Sequence, residues 1–147
     1  MTVTPMPAML LALALSIPAQ AGEQEVVLAC NGTLTTESPQ GKTIGQEDTS
    51  QGIIINFEDR TIRGVAGYLV KITASDDTSI DFSGREETPY TFQRTDGRID
   101  RVTGDFYMSV MEWMKKKPGE TTLTKETLTL TRTMHYELKC RPTQRMF

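Results

Sequence analysis

The chain has 147 residues, with 16 basic against 19 acidic side chains and a formal charge of −3. So mixed and slightly acidic a balance argues against a general nucleic-acid binder, and the length allows one domain with a modest core and leaves no room for a second. One histidine and two cysteines cannot supply a zinc cluster of workable spacing, so neither metal nor cofactor is implied.

Residues 8–17 (AMLLALALSI) form an apolar run as long as a signal-peptide core and too short for a stable bilayer anchor. Pro18 follows, then Ala19-Gln-Ala21, a small-x-small pattern that predicts cleavage after Ala21. The stretch before the run carries no Lys or Arg, a departure from the usual positive start. Val27-Leu-Ala-Cys30 loosely imitates a lipidation box, but Glu23 and Glu25 separate it from the apolar run, which disfavours lipidation. Residues 1–21 are therefore read as a signal peptide, and 22–147 as a single periplasmic or secreted β-rich domain without a transmembrane segment.

The first strand shows Val26, Leu28, Cys30 and Leu34 on one face. Asn31-Gly-Thr33 within it matches a glycosylation acceptor, though a structural part for Asn31 and Gly32, such as a bulge, is the preferred reading. Residues 37–50, polar with two glycines and a proline, read as a mobile loop. Ile53, Ile55 and Phe57 then alternate inward, residues 58–61 turn the chain, and a short run through Ile62 and Val65 carries Gly64 and Gly67 as bend or bulge positions. Tyr68, Val70 and Ile72 share a face of the next strand, followed by a turn at 75–78 and by Ile80-Asp-Phe82. After a loop at 84–89 comes a strand at 90–94, and Asp96-Gly97 predicts a tight hairpin turn with 98–104 as its return arm.

Residues 105–114 fit two patterns. Phe106, Val110 and Met114 recur at helical spacing, whereas a strand would turn Phe106, Met108 and Val110 one way and Tyr107, Met111 and Trp113 the other. Lys115-Lys-Lys-Pro-Gly119 ends the run in either case. Leu128 and Leu130 stand in phase with Met134 and Tyr136 of the last strand, which also presents Leu138 and Cys140 on that face.

In an exported chain two cysteines pair most simply with each other, although free thiols or an intermolecular bridge stay open. The expected fold is all-β, an antiparallel meander forming a small barrel or half-open barrel whose ends one Cys30–Cys140 disulfide joins. A bridge between the two sheets of a sandwich is the alternative.

Gly97-Arg-Ile-Asp-Arg-Val-Thr-Gly104, Tyr136-Glu-Leu-Lys-Cys-Arg-Pro142 and the ending Gln144-Arg-Met-Phe147 resemble a set of small exported bacterial proteins of uncharacterised function. The resemblance covers about the last third of the chain and the export signal; it implies the boundaries and the compartment and contributes no site.

Chemistry is sparse. His135 alternates away from the Met134 and Tyr136 face, as a solvated strand histidine would, and no G-x-S-x-G elbow accompanies it. Asp76-Asp77, Glu86-Glu87 and Asp96 with Asp100 are paired carboxylates, but the first two pairs fall in expected turns and the third mixes with Arg98 and Arg101 as cross-strand ion pairs do. No catalytic residue is assigned. The candidate binding residues are Tyr107, Met111 and Trp113 beside Lys115, Lys116 and Lys117, where aromatic and methionine side chains adjoin a cationic tip. Ordinary core and a solvated lysine tip are the competing reading. The sequence thus favours a non-enzymatic binding module for an unknown protein, an apolar ligand or an anionic envelope component. The alternatives are a small carboxylate-dependent hydrolase of envelope polymers and a structural envelope protein. A hollow interior would mark a ligand carrier, a buried acidic pair in a cleft the hydrolase, and a filled interior with an apolar outer strip the interaction module.

Overall fold

The computed structural model describes residues 25–143, apart from Ala66 and the side chains of Val65 and Tyr68. The expected signal peptide and the ending at 144–147 lie outside the described residues. The strands are β1 (Glu25–Glu37), β2 (Thr43–Asn56), β3 (Thr61–Val65), β4 (Tyr68–Ser75), β5 (Ser79–Glu87), β6 (Thr91–Asp100), β7 (Asp105–Lys115) and β8 (Leu128–Pro142). Each pairs antiparallel with its sequence neighbours, and β1 pairs with β8, so the meander closes into a barrel. Closure gives the outermost strands of the sequence a partner on both sides, which is what removes the free edges of an open sheet.

The disulfide sits in the closing seam. Cys30 lies directly opposite Cys140 in the β1–β8 ladder, and the two form one intrachain bridge with an S–S distance of 2.00 Å. It therefore joins neighbouring strands of one wall and does not cross between sheets.

Period-two alternation fills the interior. Leu28 and Cys30 from β1, Ile53 and Ile55 from β2, Ile62, Val70, Ile72, Ile80, Phe82, Ile99, Phe106, Met108, Val110, Tyr136, Leu138 and Cys140 form one buried cluster. Phe82 and Phe106 stack at its centre with ring centroids 5.5 Å apart. Residues 105–114 are strand throughout, because Phe106, Met108 and Val110 meet Leu138, Tyr136 and Met134 in register on the inner face. A helix there would have taken away a wall that β6 and β8 both need.

Three sequence expectations are corrected. The loop expected at 84–89 is strand as far as Glu87, because β6 pairs with it from Gly84↔Thr95 to Glu87↔Phe92. Asp96-Gly97 makes no turn: β6 runs straight through it, with Gly97 paired to Phe82 on one side and Met108 on the other. A Cβ at Gly97 would stand 2.5 Å from Cε2 of Phe82, so this glycine makes room for a ring and does not supply a turn. Residues 37–50 are not one long loop either. The reversal is confined to the few residues between Glu37 and Thr43, where Ser38 donates its N–H to the Lys42 carbonyl (2.8 Å), and β2 takes up the remainder. Its polar half is held as strand by the β1 ladder, from Glu37↔Thr43 to Cys30↔Gln51. The bends at Gly64 and Gly67 are as expected, both with positive φ (86° and 81°) beside a register shift in the β3–β4 pair.

The barrel has two unlike rims. The upper rim carries the β1–β2, β3–β4, β5–β6 and β7–β8 connections, and the lower rim carries the others together with the start of β1 and the end of β8. Lower-rim turns are tied by side chains. Asp76 accepts from the N–H groups of Thr78 and Ser79 (2.7 and 2.8 Å), and Asp100 accepts from those of Val102 and Thr103 (both 2.8 Å).

Candidate functional site: an apolar strip on the outer wall

A barrel strand of this kind exposes every second residue, and on β7 the outward set is Tyr107, Ser109, Met111, Trp113 and Lys115. At the upper end of this face Phe92, Trp113 and Leu130 are directly opposite one another in register, a row running across β6, β7 and β8. Phe92 and Trp113 have ring centroids 5.3 Å apart at a tilt of 35°. Phe92 is buried yet stands outside the central cluster, since it packs on the outer wall.

The row exists because of one bulge. Glu112 pairs with Arg132, but Trp113 pairs with Leu130, which leaves Thr131 as the extra residue of β8. Its hydroxyl donates to the Glu112 carbonyl at 2.8 Å. An extra residue inverts the alternation beyond it. Leu130 and Leu128, expected on the inner face with Met134 and Tyr136, are thereby turned out to meet Trp113 and Lys115. The β7–β8 connection then lays Leu123 and Lys125 alongside, and a groove of about 490 Å³ forms among Phe92, Trp113, Leu123, Leu128 and Leu130, with Arg85, Arg94 and Lys125 at its margin.

Of the six candidate binding residues, Tyr107, Met111 and Trp113 do share the outer face, with Tyr107 half exposed. Lys116 and Lys117 are exposed in the connection after β7. Lys115 differs from its neighbours: its side chain is 3% exposed and its ammonium sits 2.5 Å from a Glu87 carboxylate oxygen. It is a structural cation that closes the upper wall and adds nothing to a free cationic tip. A buried charge of this kind depends on its partner, and replacing the charge costs less than stranding it. Lys115→Met is expected to change stability by less than about 1 kcal/mol, whereas Glu87→Gln, which leaves the ammonium buried, should lose about 1–3 kcal/mol. Urea unfolding of the two variants checks this, and equal losses would refute it.

The margin of the groove is cationic. Arg94 pairs with Asp96 at 2.6 Å, but Arg85 and Lys125 on the margin, like Lys116 and Lys117 in the connection after β7, have no carboxylate partner among the described residues. Sequence reasoning did not find Phe92, Leu123, Leu128, Leu130, Arg85 or Lys125. For Leu128 and Leu130 the only clue was the threonine-rich run before Met134, which does not reveal a bulge.

Several other ionisable groups have structural partners. Hydrogen bonding to Arg98 holds the Asp81 carboxyl below its ordinary range, as bonding to Lys139 does for Asp105. Burial pushes Glu112 up, but Arg132 and Gln93 outweigh it and the net shift is downward. Asp76 is lowered by the Thr78 hydroxyl and by backbone N–H groups, and Asp100 by that of Thr103. His135 lies 3.5 Å from Glu37 on the outer face. In Asn31-Gly-Thr33, Asn31 accepts from the Ser50 hydroxyl of β2 at 2.6 Å, and a Cβ on Gly32 would meet the β8 backbone at Leu138, so Asn31 ties β1 to β2 and Gly32 admits β8. Among the described residues no group of three or more His, Cys, Asp or Glu could hold a metal ion, and no helix is long and apolar enough to cross a membrane.

Compared with protein-family models, with curated proteins and with solved structures, the chain matches none of them.

Proposed function

We propose that this protein is an exported, non-enzymatic interaction module whose outer strip captures a partner protein that offers an apolar anchor flanked by acidic side chains. The observation that carries this reading is the Phe92, Trp113 and Leu130 row, apolar side chains gathered on the outside of a barrel whose inside carries a separate packed core. An aromatic and aliphatic cluster with a polar margin is the usual build of an interaction hot spot. Unpaired cations at Arg85, Lys116, Lys117 and Lys125 supply the complementary charge. The apolar run at 8–17 and the disulfide support the reading of export to an oxidising compartment.

The test is capture from the organism's own envelope extract on the immobilised protein, set beside Trp113→Ala combined with Lys116→Glu and Lys117→Glu. Lys115 is left in place because it supports the wall. Retention of a defined partner should fall at least tenfold in the triple variant, with the far-ultraviolet dichroism of the barrel preserved. Equal retention by both forms would end the proposal for this strip.

A further inference from the structure

The lower rim holds a second feature, unrelated to the strip on the outer wall. The inward side chains of the last layer are Val26, Leu28, Ile55, Phe57, Ile80 and Ile99. They leave an open apolar cup of about 210 Å³. Arg101 stands on its lip, with its guanidinium carbon 5.8 Å from the centroid of the Phe57 ring. One Nη1 hydrogen bond, to the Asp76 carbonyl at 2.6 Å, fixes the side chain there. No carboxylate pairs with Arg101 among the described residues. Asp100 also lines the cup, and one of its carboxylate oxygens is engaged by the N–H groups of Val102 and Thr103.

We propose that this cup binds a small monocarboxylate with a compact apolar body, such as a medium-chain fatty acid, inserted tail first with its carboxylate on Arg101. Water in such a cup finds few hydrogen-bonding partners, so an alkyl group displaces it favourably. The volume is below the roughly 300–1,000 Å³ of clefts that enclose drug-sized ligands, which excludes long-chain occupants. A guanidinium with unused donors favours a planar carboxylate over a neutral or cationic head. The cation–π contact with Phe57 holds those donors at the lip, so head and tail are read at a fixed separation.

The experiment follows methyl resonances of Leu28, Ile55, Ile80 and Ile99 while octanoate, octan-1-ol or octylamine is added below micelle-forming concentrations. Octanoate should shift these methyls saturably and bind about tenfold or more tightly than octan-1-ol, with octylamine weakest. Arg101→Gln should remove the preference for octanoate, and Arg101→Lys should restore part of it. Three results would overturn the proposal: no saturable shift at these methyls, equal binding of the three heads, or shifts centred on Leu128 and Leu130. Binding that emerges only after removal of residues 144–147 would also overturn it, by assigning the cup to the chain's own end.

Discussion

Replacing Cys30 and Cys140 together by serine should lower the unfolding free energy by about 4–5 kcal/mol, the largest loss we expect from removing a covalent constraint on the fold. The bridge closes a loop of 110 residues, and in the chain-entropy account a loop of that size restricts the unfolded chain by about that much. Its position magnifies the consequence. β1 and β8 are the most distant strands in sequence, and their ladder, from Leu28↔Pro142 to Glu37↔Thr133, is the seam on which closure depends. Pairing of such sequence-distant strands carries the greatest ordering cost of any pair in the barrel. Since a domain of this size is stable by only about 5–15 kcal/mol in total, the double variant should be marginal in water. Urea unfolding of the oxidised protein, the reduced protein and the double serine variant measures it. A loss under about 1 kcal/mol would show that the ladder closes the barrel unaided.

The second large effect concerns Phe82 and the glycine that admits it. Phe82→Ala should cost about 3–5 kcal/mol, as removal of a fully buried ring does, because its stack on Phe106 fills the barrel centre. Gly97→Ala in the native background should cost about 1–3 kcal/mol through overpacking, since the new methyl would press on the Phe82 ring and stand 2.7 Å from the Tyr107 carbonyl oxygen. The two are coupled. In the Phe82→Ala background the ring is gone, so Gly97→Ala should lose most of its penalty and keep only the share due to the Tyr107 backbone. A double-mutant cycle by urea unfolding reads that coupling directly; simple additivity would mean that the glycine serves the strand backbone alone.

The corrections share one cause. Asp96-Gly97 and residues 37–50 carry strong local turn and loop chemistry, and each was overruled by neighbouring strands that gave its backbone a ladder. Gly97 lies between Phe82 and Met108, and the polar half of β2 lies along β1. Local propensity is worth tenths of a kcal/mol per residue, whereas a paired and packed strand position is worth more. Residues 105–114 show the same logic from the other side: the ambiguity between helix and strand ended with Phe106, Met108 and Val110 meeting inner residues of β8 in register.

The candidate site was legible in part. Tyr107, Met111 and Trp113 could be placed on one face by alternation, but the burial of Lys115 on Glu87 could not, because Glu87 is 28 positions away. The row with Phe92 and Leu130 was hidden for the same reason, as was the lower cup, whose walls come from five stretches of chain.

By itself the sequence determined the β class and the identity of most inward side chains, and it favoured the pairing of the two cysteines, because a two-residue period and a shortage of partners are properties of the chain alone. Only the tertiary structure decided which surface became distinctive. The extra residue at Thr131 inverts Leu128 and Leu130 from core to exterior, and a one-residue offset between two ladders is a relation between strands that neither strand's sequence contains.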